Sequence, residues 1–290
     1  MPHKRLLDDN WVSTRCVLLE QLDENQKPIS VKSGEGNICA SGFITNGIWD
    51  NVAGSYAPQN GIVHLYTCWH AVMGHDIRNP NTPNNHKRPR FLRVNGIGVG
   101  NPNSVRGRES LIVPLYGEDD APIWEQEPDE TPHTDFNSVG VKVPKHLDAV
   151  RLSISLEAPL LERWSIGPER SDDRFFELGE DLFVCGFPYG FSVMGDDALT
   201  PVFLKRAIAS RLSSEYQVSL LDAACTPVMS GGPVFSRSSG NWRLVGMYSG
   251  SIYTNPNLVN EAERKATALG TVMSFVIIKQ SIRTVWKKNQ

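Results

Sequence analysis

The chain has 290 residues, an apolar content of 40% and a formal net charge of −3 from 29 basic and 32 acidic residues. These values are typical of globular proteins and exclude general disorder. The near balance of charge gives no overall attraction for polyanions, so we predict neither nucleic acid nor a membrane as partner. One basic run, at 86–90, is interpreted as a solvated loop.

The ends of the chain and the cysteines bear on the compartment. We expect no export signal, because the N-terminal basic residues meet Asp8 and Asp9 before any long apolar run. The apolar stretch 272–278 is much shorter than the about 20 residues that cross a bilayer. The five cysteines are scattered without metal-ligand spacing, which indicates free thiols in a reducing compartment. We therefore expect a cytoplasmic protein.

Short apolar and β-branched segments, separated by glycine, proline and polar turns, recur along the chain and predict strands. In the first half they lie at 11–22, 37–45, 61–68, 91–94, 110–116 and 149–154. In the second half they lie at 181–187, 202–208, 216–220, 233–235 and 243–248. A helical pattern follows, with Thr271 or Ser274 as its cap. The pattern predicts an all-β protein of two β-barrels, 1–160 and 161–290, with a C-terminal helix and a linker at 156–177.

The stretch 226–235 places Ser230 before Gly231, Gly232 and Pro233 and leads into an apolar strand. A serine on a tight glycine turn can present its hydroxyl, with backbone amides directed toward an incoming carbonyl group. The alternative is an ordinary glycine turn between two strands. A nucleophile would also require a histidine base and a carboxylate elsewhere in the chain.

His70 is distinctive among the seven histidines because it follows an apolar strand and precedes Ala71 and Val72. A histidine in this position is either a base at the edge of a cleft or a core histidine with a satisfied hydrogen bond. Two aspartates are candidates to orient it. Asp148 opens an alternating strand and is preferred over Asp135, which lies in a polar, poorly patterned stretch.

Four motifs resemble those of the trypsin-like serine peptidases, most closely the non-secreted and HtrA-type bacterial branch. They are Thr-Cys-Trp-His at 67–70, Asp-Ala-Val-Arg-Leu at 148–152, the segment 178–190, and Ser-Gly-Gly-Pro-Val-Phe at 230–235 followed by Leu-Val-Gly at 244–246. The order His, Asp, Ser is that of the chymotrypsin type. The resemblance, over roughly residues 35–280, implies a chymotrypsin-like double β-barrel with the active site in the cleft between the barrels.

The resemblance also implies the catalytic roles. His70 would be the general base and later the acid, Asp148 its orienting partner, and Ser230 the nucleophile that forms an acyl-enzyme. The backbone N–H groups of Val228 and Ser230 would form the oxyanion hole. No metal and no cofactor are implied.

Substrate binding is assigned by the same resemblance. The segment 249–251 would pair with the substrate backbone as an added strand. The substrate-binding residues are Tyr248, Ser249, Gly250, Ser251 and, at the base of the specificity pocket, Ala224. Because Ala224 lacks the acid that selects Lys or Arg, we expect a neutral, small or medium apolar side chain at the cleavage position.

Several positions depart from the family pattern. Val228 replaces the usual glycine, and a β-branched residue resists the conformations that glycine allows. We therefore expect an oxyanion hole that forms only when substrate or a partner binds. Met229 replaces the aspartate that pairs with a newly cut N-terminus in secreted zymogens, so that mode of activation is not expected. Ala71 and Thr226 occupy positions where secreted members of the family usually have disulfide-bonded cysteines. Their absence agrees with the expected cytoplasmic location.

We predict a serine endopeptidase that hydrolyses the peptide bonds of a protein or peptide substrate. The alternative is a pseudo-protease that binds peptides but is catalytically weak, because Val228 disrupts its oxyanion hole. The polar loops at 75–90 and 117–137 are candidates for contact with a regulatory protein. A nucleic-acid binder that uses the basic run is the least favoured hypothesis.

Overall fold

The fold is seen in a computed structural model, which describes only part of the chain. The described residues are 11–29, 39–46, 48–50, 55–57, 62–73, 88–97, 108–126, 148–188, 200–211, 218–226, 228–238, 240–252 and 268–286. Over these ranges, no helix has both the length and the apolar character needed to cross a bilayer.

The first half of the chain folds into a curled, mainly antiparallel sheet. The strands in chain order are β1 (Cys16–Leu22), β2 (Cys39–Asn46), β3 (Ile48–Asp50), β4 (Ser55–Ala57), β5 (Ile62–Thr67), β6 (Phe91–Ile97), β7 (Arg108–Pro114), β8 (Trp124–Gln126), β9 (Val150–Ser155) and β10 (Ser165–Ile166). The sheet order is β7-β6-β1-β2-β5-β9-β8, and β10 pairs with β2 in parallel. Strands β3 and β4 form a separate two-stranded sheet.

The second half forms a closed barrel. Its strands are β11 (Asp181–Gly186), β12 (Val202–Arg211), β13 (Val218–Leu221), β14 (Pro233–Ser238), β15 (Asn241–Ile252) and β16 (Leu269–Ser274), in the order β11-β12-β13-β16-β15-β14. The helices include α1 (Trp69–Met73), α2 (Ala158–Trp164) and α3 (Phe275–Trp286), with a 3₁₀ turn at Pro168–Arg170, and residues 11–13 are also helical. Because the barrel closes on itself, each of its six strands has a hydrogen-bonded neighbour on both sides.

Each sheet encloses its own apolar core, and a further cluster joins the two. The first core is built around Trp164, which is fully buried. The joining cluster contains Phe43 and Tyr66 from the first sheet, whose rings stack with centroids 5.4 Å apart. The ring of Phe275, the first residue of α3, makes T-shaped contacts with both rings. The C-terminal helix therefore begins in the layer between the two sheets.

The structure confirms the predicted all-β class, the closed second barrel and the C-terminal helix. The first sheet is a curled half-barrel. Strand β10 extends this sheet to Ile166, beyond the division at residue 160, and α2 occupies part of the predicted linker. The division into 1–160 and 161–290 stays a prediction.

Several local predictions were wrong. The first strand begins at Cys16, later than the predicted start at residue 11, because Thr14 and Arg15 donate backbone hydrogen bonds to Trp11 and Val12 and form a turn. Part of the predicted polar loop at 117–137 is strand β8, which pairs with β9. Strand β16 occupies 269–274, where the sequence had suggested only a helix cap.

The contact between Gly96 and Trp164 gives a test of the first core. A Cβ atom on Gly96 would lie 2.3 Å from Cε2 of Trp164, and a fully buried indole has little room to move. We expect Gly96→Ala to lower the free energy of unfolding by about 1–3 kcal/mol in denaturant titrations. In the control Gly117→Ala, the nearest atom is a carboxylate oxygen of the exposed Asp119, so the change should stay within about 0.5 kcal/mol. Equal losses in both variants would contradict this account.

Candidate active site

Neighbouring strands bring His70 and Asp148 together. Thr67, at the end of β5, pairs with Val150 at the start of β9. His70 follows Thr67 by three residues and lies in the short helix α1, while Asp148 precedes Val150 by two. The predicted position at a strand end therefore holds, with the histidine in a helical turn. Nε2 of the buried Gln21 donates to the backbone oxygens of Ala71 at 2.9 Å and His70 at 3.3 Å, which fixes this turn.

The carboxylate of Asp148 is held by several hydrogen bonds. Its Oδ2 lies 2.9 Å from Nδ1 of His70, and its Oδ1 accepts the backbone N–H of His70 at 3.2 Å. The Ser249 hydroxyl also donates to Oδ2, at 3.2 Å. The Asp148 side chain is 4% exposed and that of His70 is 23% exposed. A buried carboxylate bound in this way can fix the imidazole orientation and stabilise its protonated form.

A β-bulge explains why Ser249 reaches Asp148. In the pairing of β15 with β16, Tyr248 is opposite Val272 and Gly250 is opposite Thr271, so Ser249 is the extra residue. A bulge bends the strand and redirects a side chain. The pairing of segment 249–251 with the substrate backbone stays a prediction, and the side-chain hydroxyl of Ser249 contacts the carboxylate. A bulge has no clear signature in the sequence Tyr-Ser-Gly-Ser.

Ser230 lies on a turn whose glycines are required by close backbone packing. Gly231 has a φ of +83°, and a Cβ there would lie 2.3 Å from the Ser41 oxygen and 2.5 Å from Oγ1 of Thr67. A Cβ on Gly232 would lie 2.1 Å from the backbone oxygen of Cys185. The turn therefore packs directly on the strand that leads to His70.

Backbone contacts connect this turn to the histidine segment. The oxygen of Tyr248 accepts the N–H of Gly231 at 2.7 Å and the thiol of Cys68 at 3.6 Å. Gly231 is adjacent to Ser230, and Cys68 lies two residues before His70. Within the described ranges, the structure gives no hydrogen bond between the Ser230 hydroxyl and His70. Such contacts are often long in the absence of substrate and tighten when it binds.

Val228 has an unusual backbone conformation within the segment of Thr226, Val228 and Met229, here called the oxyanion turn. The N–H of Met229 donates to the Thr226 oxygen, three residues before it, at 3.4 Å, and Val228 has a φ of +74°. A positive φ in this position is typical of type II turns, which normally place glycine there. For valine, the conformation costs about 1–3 kcal/mol. The backbone thus takes the conformation that the side chain disfavours.

The backbone N–H groups of Val228 and Ser230 lie on either side of Met229. Among the described residues, neither of these backbone groups has a hydrogen-bond acceptor. Amides that remain open beside a serine hydroxyl are what an oxyanion hole requires. The assignment of these two residues as the oxyanion hole stays a prediction.

Ser41 on β2 contacts both sides of the Ser230 turn, and the sequence analysis missed it. Its hydroxyl donates to the Val228 oxygen at 2.8 Å and accepts the N–H of Phe187 at 3.3 Å. Its N–H donates to the Ser230 oxygen at 2.9 Å. Its own oxygen accepts the Thr67 hydroxyl at 2.8 Å. The residue is completely buried, and the one signal in the sequence is a serine within an apolar strand.

The predicted substrate-binding residues lie close together around Tyr248. Its hydroxyl accepts the N–H of Cys225 at 3.0 Å and lies 3.1 Å from Oγ of Ser251. Tyr248 is 1% exposed and belongs to the apolar core of the second barrel. The Ala224 oxygen accepts a hydrogen bond from Arg206 at 3.1 Å.

The sulfur-containing side chains of Met229, Cys185 and Cys225 near the site are buried. Met229 is fully buried in the second barrel. Burial raises the pKa of Cys225 to about 11 and that of Cys185 well above its usual value. These two thiols therefore stay protonated at neutral pH and are poor nucleophiles.

One group of side chains has the composition of a metal site. Ligand atoms of Cys68, His70 and Asp148 lie within 4.8 Å of one another. Two ligands on a tetrahedral zinc ion at about 2.0 Å would be separated by roughly 3.3 Å. The 2.9 Å between Nδ1 of His70 and Asp148 fits a direct hydrogen bond better.

His64 is the other histidine in the described ranges, and its environment differs. It is buried on β5, and Nδ1 lies 3.4 Å from the hydroxyl of Ser153. Burial, and then the charge of Arg151, lower its pKa from 6.5 to about 4. A histidine with this pKa is a weak base at neutral pH. His75, His86, His133, His146 and the alternative acid Asp135 lie outside the described residues.

The pKa of His64 predicts a pH dependence of stability. Because the folded pKa is about 4 and the ordinary value is 6.5, the unfolded chain binds more protons between these values. Stability should therefore fall as pH decreases from 6.5 to 4, by on the order of 3 kcal/mol from this residue. Urea titrations across this range should show a shallower fall in His64→Gln. Identical slopes in wild type and variant would contradict the assignment.

The arginines of the basic run that lie in the described ranges are bound within the protein. Arg88 and Arg90 stack on the ring of Tyr116, with guanidinium carbons 3.7 Å and 4.7 Å from its centroid. Asp120 forms ion pairs with both. These arginines thus have intramolecular partners.

Comparison with protein-family models and with curated protein sequences gave no match.

Proposed function

We propose that the protein is a trypsin-like serine endopeptidase. The observation that carries the proposal is the 2.9 Å hydrogen bond between Nδ1 of His70 and Asp148. The Ser230 turn packs against Thr67 and Cys68, which precede His70 in the chain by three and two residues. The order of the three residues in the chain and the open N–H groups beside Ser230 add support.

In the proposed reaction, Oγ of Ser230 attacks the carbonyl carbon of the scissile peptide bond while Nε2 of His70 accepts the hydroxyl proton. Asp148 stabilises the resulting imidazolium, and the N–H groups of Val228 and Ser230 bind the oxyanion. His70 then donates the proton to the leaving amine, and the C–N bond breaks to give an acyl-enzyme. Water, deprotonated by His70, hydrolyses the ester and restores the Ser230 hydroxyl.

The proposed substrate has a neutral, small or medium apolar side chain at the cleavage position. Ala224, which the resemblance puts at the base of the specificity pocket, offers no charge. The buried free thiols of Cys16, Cys68, Cys185 and Cys225 support a reducing, cytoplasmic location as part of this proposal.

A peptide-binding pseudo-protease is the second candidate. The strained backbone at Val228, with its φ of +74°, favours it, because relaxation of this residue would disturb the N–H groups near Ser230. In that case the strand segment at Ser249 and Gly250 would pair with peptides without hydrolysis.

A fluorophosphonate probe tests the nucleophile. We expect covalent labelling of the wild type and loss of labelling in Ser230→Ala, because the probe reacts with a serine that has an adjacent base. The control Ser155→Ala removes an exposed hydroxyl on β9 and should label as the wild type does. Peptide mass spectrometry would locate the adduct. An unlabelled wild type that still binds peptides would favour the pseudo-protease.

The role of Asp148 has its own test. Asp148→Asn keeps the shape but favours the wrong tautomer of His70, so we expect the labelling rate to fall by about 10⁴-fold. Ser249→Ala removes one hydrogen bond to the carboxylate and should cost roughly tenfold. Asp135→Asn should have little effect. A collapse in Asp135→Asn with normal rates in Asp148→Asn would show that the acid was wrongly assigned.

A further inference from the structure

We infer that Ser41 is a positioning residue that holds the oxyanion turn in its strained conformation, an inference that rests on the proposed function. Its hydroxyl donates a 2.8 Å hydrogen bond to the oxygen of Val228, the residue with a φ of +74°. Its N–H donates a 2.9 Å bond to the oxygen of Ser230. The two bonds flank the peptide group that carries the Ser230 N–H.

The turn itself is weakly closed. Its own hydrogen bond, from Met229 to Thr226, spans 3.4 Å, near the limit for an N–H···O contact. A β-branched residue at positive φ is driven toward negative φ. Unless the preceding peptide turns over in compensation, such a rotation moves the Val228 oxygen away from Ser41. The 2.8 Å bond from the Ser41 hydroxyl therefore opposes this relaxation.

Ser41 is itself fixed from the opposite side. Thr67 donates to its backbone oxygen at 2.8 Å, and the N–H of Phe187 donates to its hydroxyl at 3.3 Å. Because the Ser41 hydroxyl oxygen accepts from Phe187, its own proton can be donated to the Val228 oxygen. Because Thr67 belongs to the strand that leads to His70, the same residue sets the turn relative to the base.

A double-mutant cycle between Ser41→Ala and Val228→Gly separates this role from ordinary packing. Glycine takes positive φ without strain, so the turn should no longer need Ser41. We expect Ser41→Ala to slow fluorophosphonate labelling of Ser230 by about 10- to 100-fold in the wild type, less than the loss of a whole oxyanion donor. In the Val228→Gly background the loss should be less than about threefold. The cost of leaving Phe187 without an acceptor cancels in the cycle.

The unfolding temperatures of the same four proteins give a readout that needs no activity. If Ser41 holds the strain, its removal lets Val228 relax. Val228→Gly changes the unfolding temperature in each of two backgrounds, the wild type and Ser41→Ala. We therefore expect the change to be more favourable in the wild type, by about 2 °C or more. Additive unfolding temperatures would overturn the inference, whether or not Ser230 reacts.

Thr67→Val is the matched control. It removes the hydroxyl bond to the Ser41 oxygen but no bond to Val228, so its cost should be the same with and without Val228→Gly. Coupling as large as that of Ser41→Ala would show a general packing effect and overturn the inference. If the wild type does not react with the probe but the unfolding temperatures of the four proteins are non-additive as expected, the proposed peptidase activity is contradicted. The role of Ser41 in holding the turn is then still supported.

Discussion

The candidate site depends on the close approach of the Ser230 turn to the strands beside it. A side chain at Gly231 or Gly232 would come within 2.3 Å of the Ser41 oxygen or 2.1 Å of the Cys185 oxygen. These distances are far below contact between non-bonded atoms, so only glycine permits the approach. Because Ser41 belongs to the first sheet and Cys185 to the second, the two glycines allow one serine to lie where both sheets meet.

This approach explains how a strained residue is tolerated nearby. A positive φ at a valine persists only where surrounding contacts determine the backbone. In the oxyanion turn, the Val228 carbonyl is bound from β2 through Ser41, and the Met229 side chain is buried in the second barrel. Contacts with both sheets therefore hold the turn.

The sequence predicted features that depend on local chemistry. Alternating apolar residues located most strands, and the glycines after Ser230 indicated a tight turn. Features that depend on distant contacts were missed. Ser41 binds a residue 187 positions away, and the direction of the Ser249 hydroxyl depends on a register shift between β15 and β16. Strand β8 has three residues, too few for a pattern, and is stabilised by pairing with β9.

Met229 indicates how the turn is anchored without an ion pair. Its side chain is completely buried among the apolar residues of the second barrel, and a Cβ on Gly186 would lie only 3.0 Å from it. An apolar anchor is fixed as soon as the barrel closes, since its burial needs no partner charge. A charged residue there would need a counter-ion to offset its desolvation. The conformation of the turn therefore depends on the burial of Met229 together with the bond from Ser41 to Val228.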